Sequence, residues 1–353
     1  MKKIFIFASL FLIMTFFYTI LFPVKLYKRD SYFVKKFISL EKVSEDKKID
    51  GYFFSDIECG YFSFDKGVIN HIKPTENKFI QCNSFGYIFY DKFGDKINLF
   101  SQNGALLKEI PTYGYPYIAG DFPIFYVLKT NGTGFSSYSI RGDELIKNID
   151  YTSIITSITT DKTGNSLVSN LDGKTFLYSP TGEVLFSTDS DSLESKIIFT
   201  KSSTIDPDGQ NIAICSGIES EYIEIYNKKT GFKTFQFKTD TNFRYKTFME
   251  FNKDRLYFEG EDQLKYVNLK NKKINKIKLN GEIKEVQFDS LGKILILTYK
   301  NNVYHISLYT PTGIKYFYKE SKDKIDNLRI LKDDIFYFKL DNKIVKIETG
   351  KSS

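Results

Sequence analysis

The chain has no tryptophan, two histidines and three cysteines in 353 residues, and each scarcity closes off a chemistry. Without tryptophan there are none of the tryptophan-docked blades that quinoprotein dehydrogenases use, and none of the sialidase Asp boxes that end in that residue. His71 and His305 are far apart and neither has a second ligand type at metal spacing, so no zinc or other metal site is expected. Cys59, Cys82 and Cys215 are odd in number and widely spaced, which gives no disulfide framework. Cys215 follows Ile212-Ala213-Ile214 and reads as a small buried hydrophobe, whereas a Cys59–Cys82 bridge stays open for an oxidising compartment. No Gly-x-Ser-x-Gly elbow is present, so a serine hydrolase site has no basis. Gly132-Thr133-Gly134 lacks the following helix that would present amides to a phosphate and reads as a hairpin loop. No catalytic residue and no cofactor is assigned. Proline-rich and low-complexity tracts are also missing, and with them any internal domain boundary.

What the chain does have is a recurrent two-residue turn signature between short alternating strands. It appears as Lys66-Gly67, Asn103-Gly104, Arg141-Gly142, Thr181-Gly182, Thr230-Gly231, Thr312-Gly313 and Thr349-Gly350, with Asn271-Lys272 where glycine is missing. Successive marks lie 37, 38, 40, 49, 41, 41 and 37 residues apart, the period of a four-stranded propeller blade. The expected fold is all-β, a propeller of seven or eight four-stranded blades over residues 50–353, with eight favoured. The last mark is followed by only three residues, so an N-terminal segment must supply the final outer strand. If residues 68–73 supply it the ring has seven blades, and if residues near 33–40 do it has eight, which leaves Tyr52–Ile57 and Tyr61–Phe64 with a place.

The clearest blade runs from Thr200 to Phe237. It contains Asp206-Pro207-Asp208-Gly209, then Asn211–Cys215, Tyr222–Tyr226, the Thr230-Gly231 turn and Lys233–Phe237. Proline presets the first central φ, the aspartates bond local backbone and glycine takes the positive-φ position. These residues resemble the WD40-like repeats of bacterial periplasmic propellers of the TolB type, in which Pro-Asp-Gly precedes an Ile-Ala strand and a later strand ends before Thr-Gly. Related turns recur as Asp161-Lys162-Thr163-Gly164 and Asp289-Ser290-Leu291-Gly292, with Asn252-Lys253-Asp254 as a degenerate copy. The resemblance covers residues 150–320 and speaks to fold; no separate N-terminal α/β domain of the TolB kind is visible.

The N-terminus suggests a location. Ile4 to Phe22 is an apolar run without charge, about 29 Å long as a helix and close to the hydrocarbon thickness of a bilayer. It lacks the short apolar core and small-residue exit of a cleaved signal, so residues 1–24 are expected to form an uncleaved signal-anchor. Lys2 and Lys3 flank it on one side, Lys25, Lys28 and Arg29 on the other. Read alone, the positive-inside tendency would keep the C-terminal bulk in the cytoplasm; the lysine-led short tail instead points to export, and a periplasmic or extracytoplasmic propeller is the expectation. Residues 25–49 read as a charged juxtamembrane linker, or a short juxtamembrane helix through Ser31–Glu45. The net charge is +7, but the excess sits in the first 50 residues and the propeller is nearly neutral, which argues against a nucleic-acid partner. The lysine-rich stretch Lys265 to Lys284 is expected to be a solvated outer face.

Function is less legible than fold. The chain carries 34 phenylalanines and 25 tyrosines, most of which must fill layers between blades. One cluster lies between blades, Pro111-Thr112-Tyr113-Gly114-Tyr115-Pro116-Tyr117, and tyrosine is enriched at interface hot spots. Tyr113, Tyr115 and Tyr117, with Glu219 and Glu221 in a loop on the same expected face, are the candidate partner-binding residues. The expected role is a membrane-tethered, non-catalytic protein-interaction scaffold of the cell envelope, with an envelope protein as partner. A propeller hydrolase or lyase with channel-lining acids, or a glycan or small-ligand sensor, is the alternative.

Overall fold

The computed structural model describes residues 31–40, 48–55, 57–92, 94–190, 194–195 and 197–350. The expected anchor, residues 4–22, and its flanking Lys2, Lys3, Lys25, Lys28 and Arg29 lie outside them; among the described residues no helix is long and apolar enough to cross a membrane. The chain divides into two units, Val34–Glu348, which holds the blades, and a second made of Met1–Phe33 with Thr349–Ser353.

The blades are eight antiparallel sheets. They occupy residues 51–72, 78–111, 115–150, 155–189, 200–238, 249–278, 282–321 and 325–350, numbered here 1 to 8. Alternation sets the layers. In blade 5 Ile212 and Ile214 face blade 4 and pack with Leu167 and Leu177. Ala213 and Cys215, on the opposite face, pack with Met249, Phe251 and Leu256 of blade 6. The period of two thus gives every central strand two buried faces.

The turn marks do the work their residue types imply. In Asp206–Gly209 the Asp206 carboxylate accepts from the Gln210 and Asn211 amides at 2.8 and 3.0 Å, and Gly209 sits at φ +67°. Where glycine is missing, Lys272 itself takes φ +57°. In blades 2 to 7 each two-residue mark joins the third and fourth strands, on what we call the lower face; loops between second and third strands, and connections from blade to blade, lie on the upper face.

Ring closure comes from the N-terminal side. Ser31–Ser39, expected as linker or short helix, is instead a strand, and it completes blade 8 beside Lys343–Gly350. The propeller therefore begins before residue 50, and eight blades are closed. Leu40, just beyond the strand, donates its amide to the Asn342 carbonyl at 3.0 Å on the upper face.

Blade 1 departs from the rest. Among the described residues it has three strands, Gly51–Ser55, Glu58–Ser63 and Gly67–Ile72, where four were expected. Asp50 donates its amide to the Phe62 carbonyl at 2.9 Å and its carboxylate accepts from the Phe64 amide at 2.7 Å, both beside the lower-face Lys66-Gly67 turn. Blade 1 is thus entered from the lower face, and its strands match the second to fourth of the other blades.

A buried polar cluster pins the closure. The Glu58 carboxylate accepts from Lys339 Nζ of blade 8 at 2.8 Å and lies 2.9 Å from His71 Nε2. The other ring nitrogen of His71 is 3.2 Å from the Leu40 carbonyl oxygen. Burial alone would push the Glu58 carboxyl up, but the hydrogen bonds and charges of Lys339 and His71 outweigh it and hold the group below its ordinary value. A carboxylate depressed in the folded state gives stability that is present above its unfolded pKa and lost as pH falls through the folded value. The stability gap between the wild type and Glu58→Gln in urea titrations is therefore expected to be full near neutrality and to shrink from about pH 5 downward. A gap that stays constant to pH 3 would contradict it.

Candidate functional site

The chain between the outer strand of blade 2, Leu106–Pro111, and the inner strand of blade 3, Tyr115–Tyr117, is held by one glycine. A Cβ on Gly114 would lie 2.5 Å from both the Leu128 carbonyl oxygen and Val127 Cγ1, a closeness that only glycine permits. With Gly114 pressed onto blade 3, Tyr113 is thrown outward and is 75% exposed, while Tyr115 is 37% exposed. Tyr117 turns inward and packs with Tyr126 and Phe135. Of the three tyrosines, two are accessible and one belongs to the core.

Tyr113 stands at the edge of a cleft of about 470 Å³. Its other walls are the Lys129–Asn131 loop and Asn148 of blade 3. Asn148 sits in a bulge of the outer strand with φ +47°, and its amide donates to Ser136 Oγ at 3.1 Å. Bulges locally bend a strand at a rim, and here the bulged Asn148 lines the cleft. Lys129 Nζ donates to Asp150 at 2.7 Å, so the wall beside Tyr113 is polar and nearly charge-balanced.

The acidic candidates do not join this cleft. Gly217–Glu221 is a second-to-third-strand loop of blade 5 on the upper face, as expected, and Glu219 is exposed there. Glu221 is buried: its Oε2 accepts from Lys201 Nζ at 2.6 Å, and its Oε1 accepts from Thr239 and Thr241 hydroxyls at 2.8 and 2.9 Å. Both charges are almost wholly enclosed, so Glu221 ties the connection between blades 5 and 6 rather than offering itself to a partner.

Innermost strands present an unpaired edge, and side chains of the preceding blade satisfy it. Gln81 Oε1 accepts from the Ile118 amide at 3.3 Å and Ser157 Oγ from the Ser203 amide at 3.4 Å. Glu285 accepts from the Asn327 and Leu328 amides at 3.1 and 2.7 Å. Arg329 lies 3.6 Å from Glu285 and its guanidinium is 5.7 Å from the Tyr52 ring centre. Burial raises Glu285, and the Arg329 charge with the two amide bonds works against that rise. Glu250, on the inner strand of blade 6, has no hydrogen-bond or ion-pair partner among the described residues. It is open to solvent, yet burial among protein atoms pushes its carboxyl up to about 7. Neither Glu250 nor the Arg329–Glu285 pair was singled out in the sequence, because nothing in Met249–Asn252 marks which residue the ring turns inward.

Cys59 and Cys82 are free thiols, both buried in the layer between blades 1 and 2, and the Cys82 thiol donates to the Phe53 carbonyl at 3.6 Å. Cys215 is buried as expected. Among the described residues no group of three histidine, cysteine or acidic side chains is placed to hold a metal ion.

A family profile described as beta-propeller protein matches residues 1–351. The chain belongs to this β-propeller family. Among solved structures, that of a streptogramin B lyase is similar at a TM-score of 0.52 and 14% identity, covering 90% of this chain and 98% of that one. In all, 1290 solved chains match, as befits an architecture that hosts many activities, so the likeness carries fold and not chemistry. No curated protein matches the chain in sequence.

Proposed function

We propose that this family member is a membrane-tethered, non-catalytic scaffold that recruits an envelope protein through the upper face of blades 2 and 3. The observation that carries the reading is Tyr113, a large side chain 75% exposed at the edge of a 470 Å³ cleft. An aromatic ring held out by a glycine-locked backbone offers apolar area and a hydroxyl at little entropic cost, the combination found at binding hot spots. Tethering rests on the uncharged run Ile4 to Phe22, long enough to cross a bilayer, and on its lysine-led start, which favours a propeller outside the cytoplasm. The partner is the exposed part of another envelope protein; no nucleic acid is expected.

Recovery of neighbouring proteins with the detergent-solubilised full chain tests this. Tyr113→Ala with Tyr115→Ala is expected to weaken partner recovery, since hot-spot tyrosines each contribute about 2 kcal/mol of binding. The thermal transition should barely move, because truncations of exposed loop side chains usually cost less than about 0.5 kcal/mol. Unchanged recovery with a folded double variant removes the cleft from the reading.

A further inference from the structure

The lysine-rich stretch of blade 6 is not one solvated face. Lys265 is buried, its side chain 7% exposed, and its Nζ donates to Asp240. Lys270, Lys272 and Lys273 instead stand exposed in the turn between the third and fourth strands, on the lower face. Lys229 of blade 5 and Lys253 of blade 6 are exposed in lower-face turns as well. Against these five lysines the same turns hold one exposed acid, Asp208, since Asp206 is buried and Asp254 is half-buried and lies 3.5 Å from Lys270. Lys229, Lys272 and Lys273 have no acid at ion-pair distance among the described residues.

Two apolar side chains stand among the lysines. Phe232 leaves the blade 5 turn 74% exposed, and Ile274 holds the matching place in blade 6 at 43%. Asn227 fixes the first of these turns, its side chain accepting from the Thr230 amide and hydroxyl at 3.0 and 3.2 Å. The two turns form one surface: Lys272 Nζ of blade 6 donates to the Thr234 carbonyl of blade 5 at 3.2 Å and lies 5.3 Å from the Phe235 ring centre.

The course of the chain says what lies opposite. Leu40 follows the closing strand at the upper face, so Ser31–Ser39 rises from the lower face and the chain before it joins blade 8 from that side. Only the eight residues 23–30 separate this point from the uncharged run of residues 4–22, and a segment of that length reaches at most about 29 Å.

We infer that the lower edge of blades 5 and 6 rests on the bilayer that holds the tether, with Phe232 and Ile274 among the headgroups and the lysines on anionic lipid phosphates. The inference rests on the tether of the proposed function, and it leaves Tyr113, on the upper face, turned toward the partner. Apolar side chains set among lysines suit the boundary between headgroups and acyl chains, and lysines beside a membrane gain from anionic lipid. Asp333 and Asp334 in the lower turn of blade 8 carry the opposite charge, so the contact is confined to one edge and does not spread over the face.

The full-length protein in vesicles of phosphatidylcholine, alone or mixed with phosphatidylglycerol and each doped with a nitroxide-bearing phospholipid, tests it. The native cysteines are buried, so a fluorophore attaches to single introduced ones: Thr230→Cys at the contact, Asn103→Cys in the lower turn of blade 2 and Ile57→Cys on the upper face. The nitroxide is expected to quench the Thr230 label in mixed vesicles and to leave the other two bright. Quenching should fall in pure phosphatidylcholine and at high salt. Lys229→Gln with Lys273→Gln should lower the ratio of quenched to bright Thr230 label about fivefold per lysine. Phe232→Ser should lower it as well, and near-ultraviolet circular dichroism should not change, since all three positions are exposed. Flotation with pure phosphatidylcholine after an alkaline wash reads the tether separately. A chain that floats there, yet whose Thr230 label in mixed vesicles is quenched no more than the Ile57 label, overturns the inference and leaves the tether standing. A chain that floats with neither lipid overturns both. Thr230 quenching that requires an added envelope-protein fraction assigns this edge to a protein partner and overturns the inference too.

Discussion

Deletion of residues 31–39 is expected to lower the thermal transition of the whole propeller, not of blade 8 alone. The segment supplies the outer strand of that blade, buries Ile38 to 5% exposure and positions Leu40 at 3%. Full burial of one such side chain contributes about 1.5–3 kcal/mol, so the two together account for about 3–6 kcal/mol. Backbone pairing with Lys343–Gly350 is lost as well. Because stability in repeat rings resides largely in interfaces between neighbours, opening one seam should broaden the transition and lower it for all blades. Calorimetry of the full chain against the deletion, with near-ultraviolet circular dichroism as a check on packing, measures this. An unshifted cooperative transition would mean that the strand is an ornament on an already closed ring.

The second large effect is expected at Lys201 and Glu221. Both side chains are almost completely enclosed and their charged atoms are 2.6 Å apart. Removing one partner of a buried pair leaves an uncompensated charge and typically costs about 3–5 kcal/mol. Lys201→Met should therefore destabilise strongly, and so should Glu221→Gln, which also disturbs the Thr239 and Thr241 bonds. The double variant Lys201→Met with Glu221→Met should recover most of the loss, since an apolar pair of similar volume often matches a buried ion pair. Chemical denaturation of the three variants gives the coupling directly. Strictly additive single effects would show that the two charges do not act as a pair.

Blade count was legible in the sequence because each third-to-fourth-strand turn needs a residue at positive φ, which recurs visibly as glycine. The same logic was blind to blade 1. A mark at Lys66-Gly67 reports the last turn of a blade and says nothing about its first strand. The closing strand Ser31–Ser39 escaped recognition because an outer strand has one free edge and one free face; it needs few buried positions, and Lys35-Lys36 in its middle looks like linker. Tyr113 and Tyr117 are equivalent in composition, and only the approach of Gly114 to Leu128 decides which one points out. Lys201 and Lys265 lie 20 and 25 residues from the acids they meet, across irregular connections. No periodicity reports a pairing of that kind, so the lysines read as surface.

The N-terminal closing strand also sets an order of events during synthesis. Ser39 leaves the ribosome about 300 residues before its partner strand at Lys343, a delay of about 15–60 s at ordinary elongation rates. Throughout that interval the segment is an unpaired strand with Phe37 and Ile38 available to any passing sheet edge, the situation in which edge strands seed aggregation. Lys35 and Lys36, adjacent on the same strand, are the charges that keep such an edge from pairing with the wrong neighbour. The residues that made the segment look like a linker are, on this view, what lets it wait.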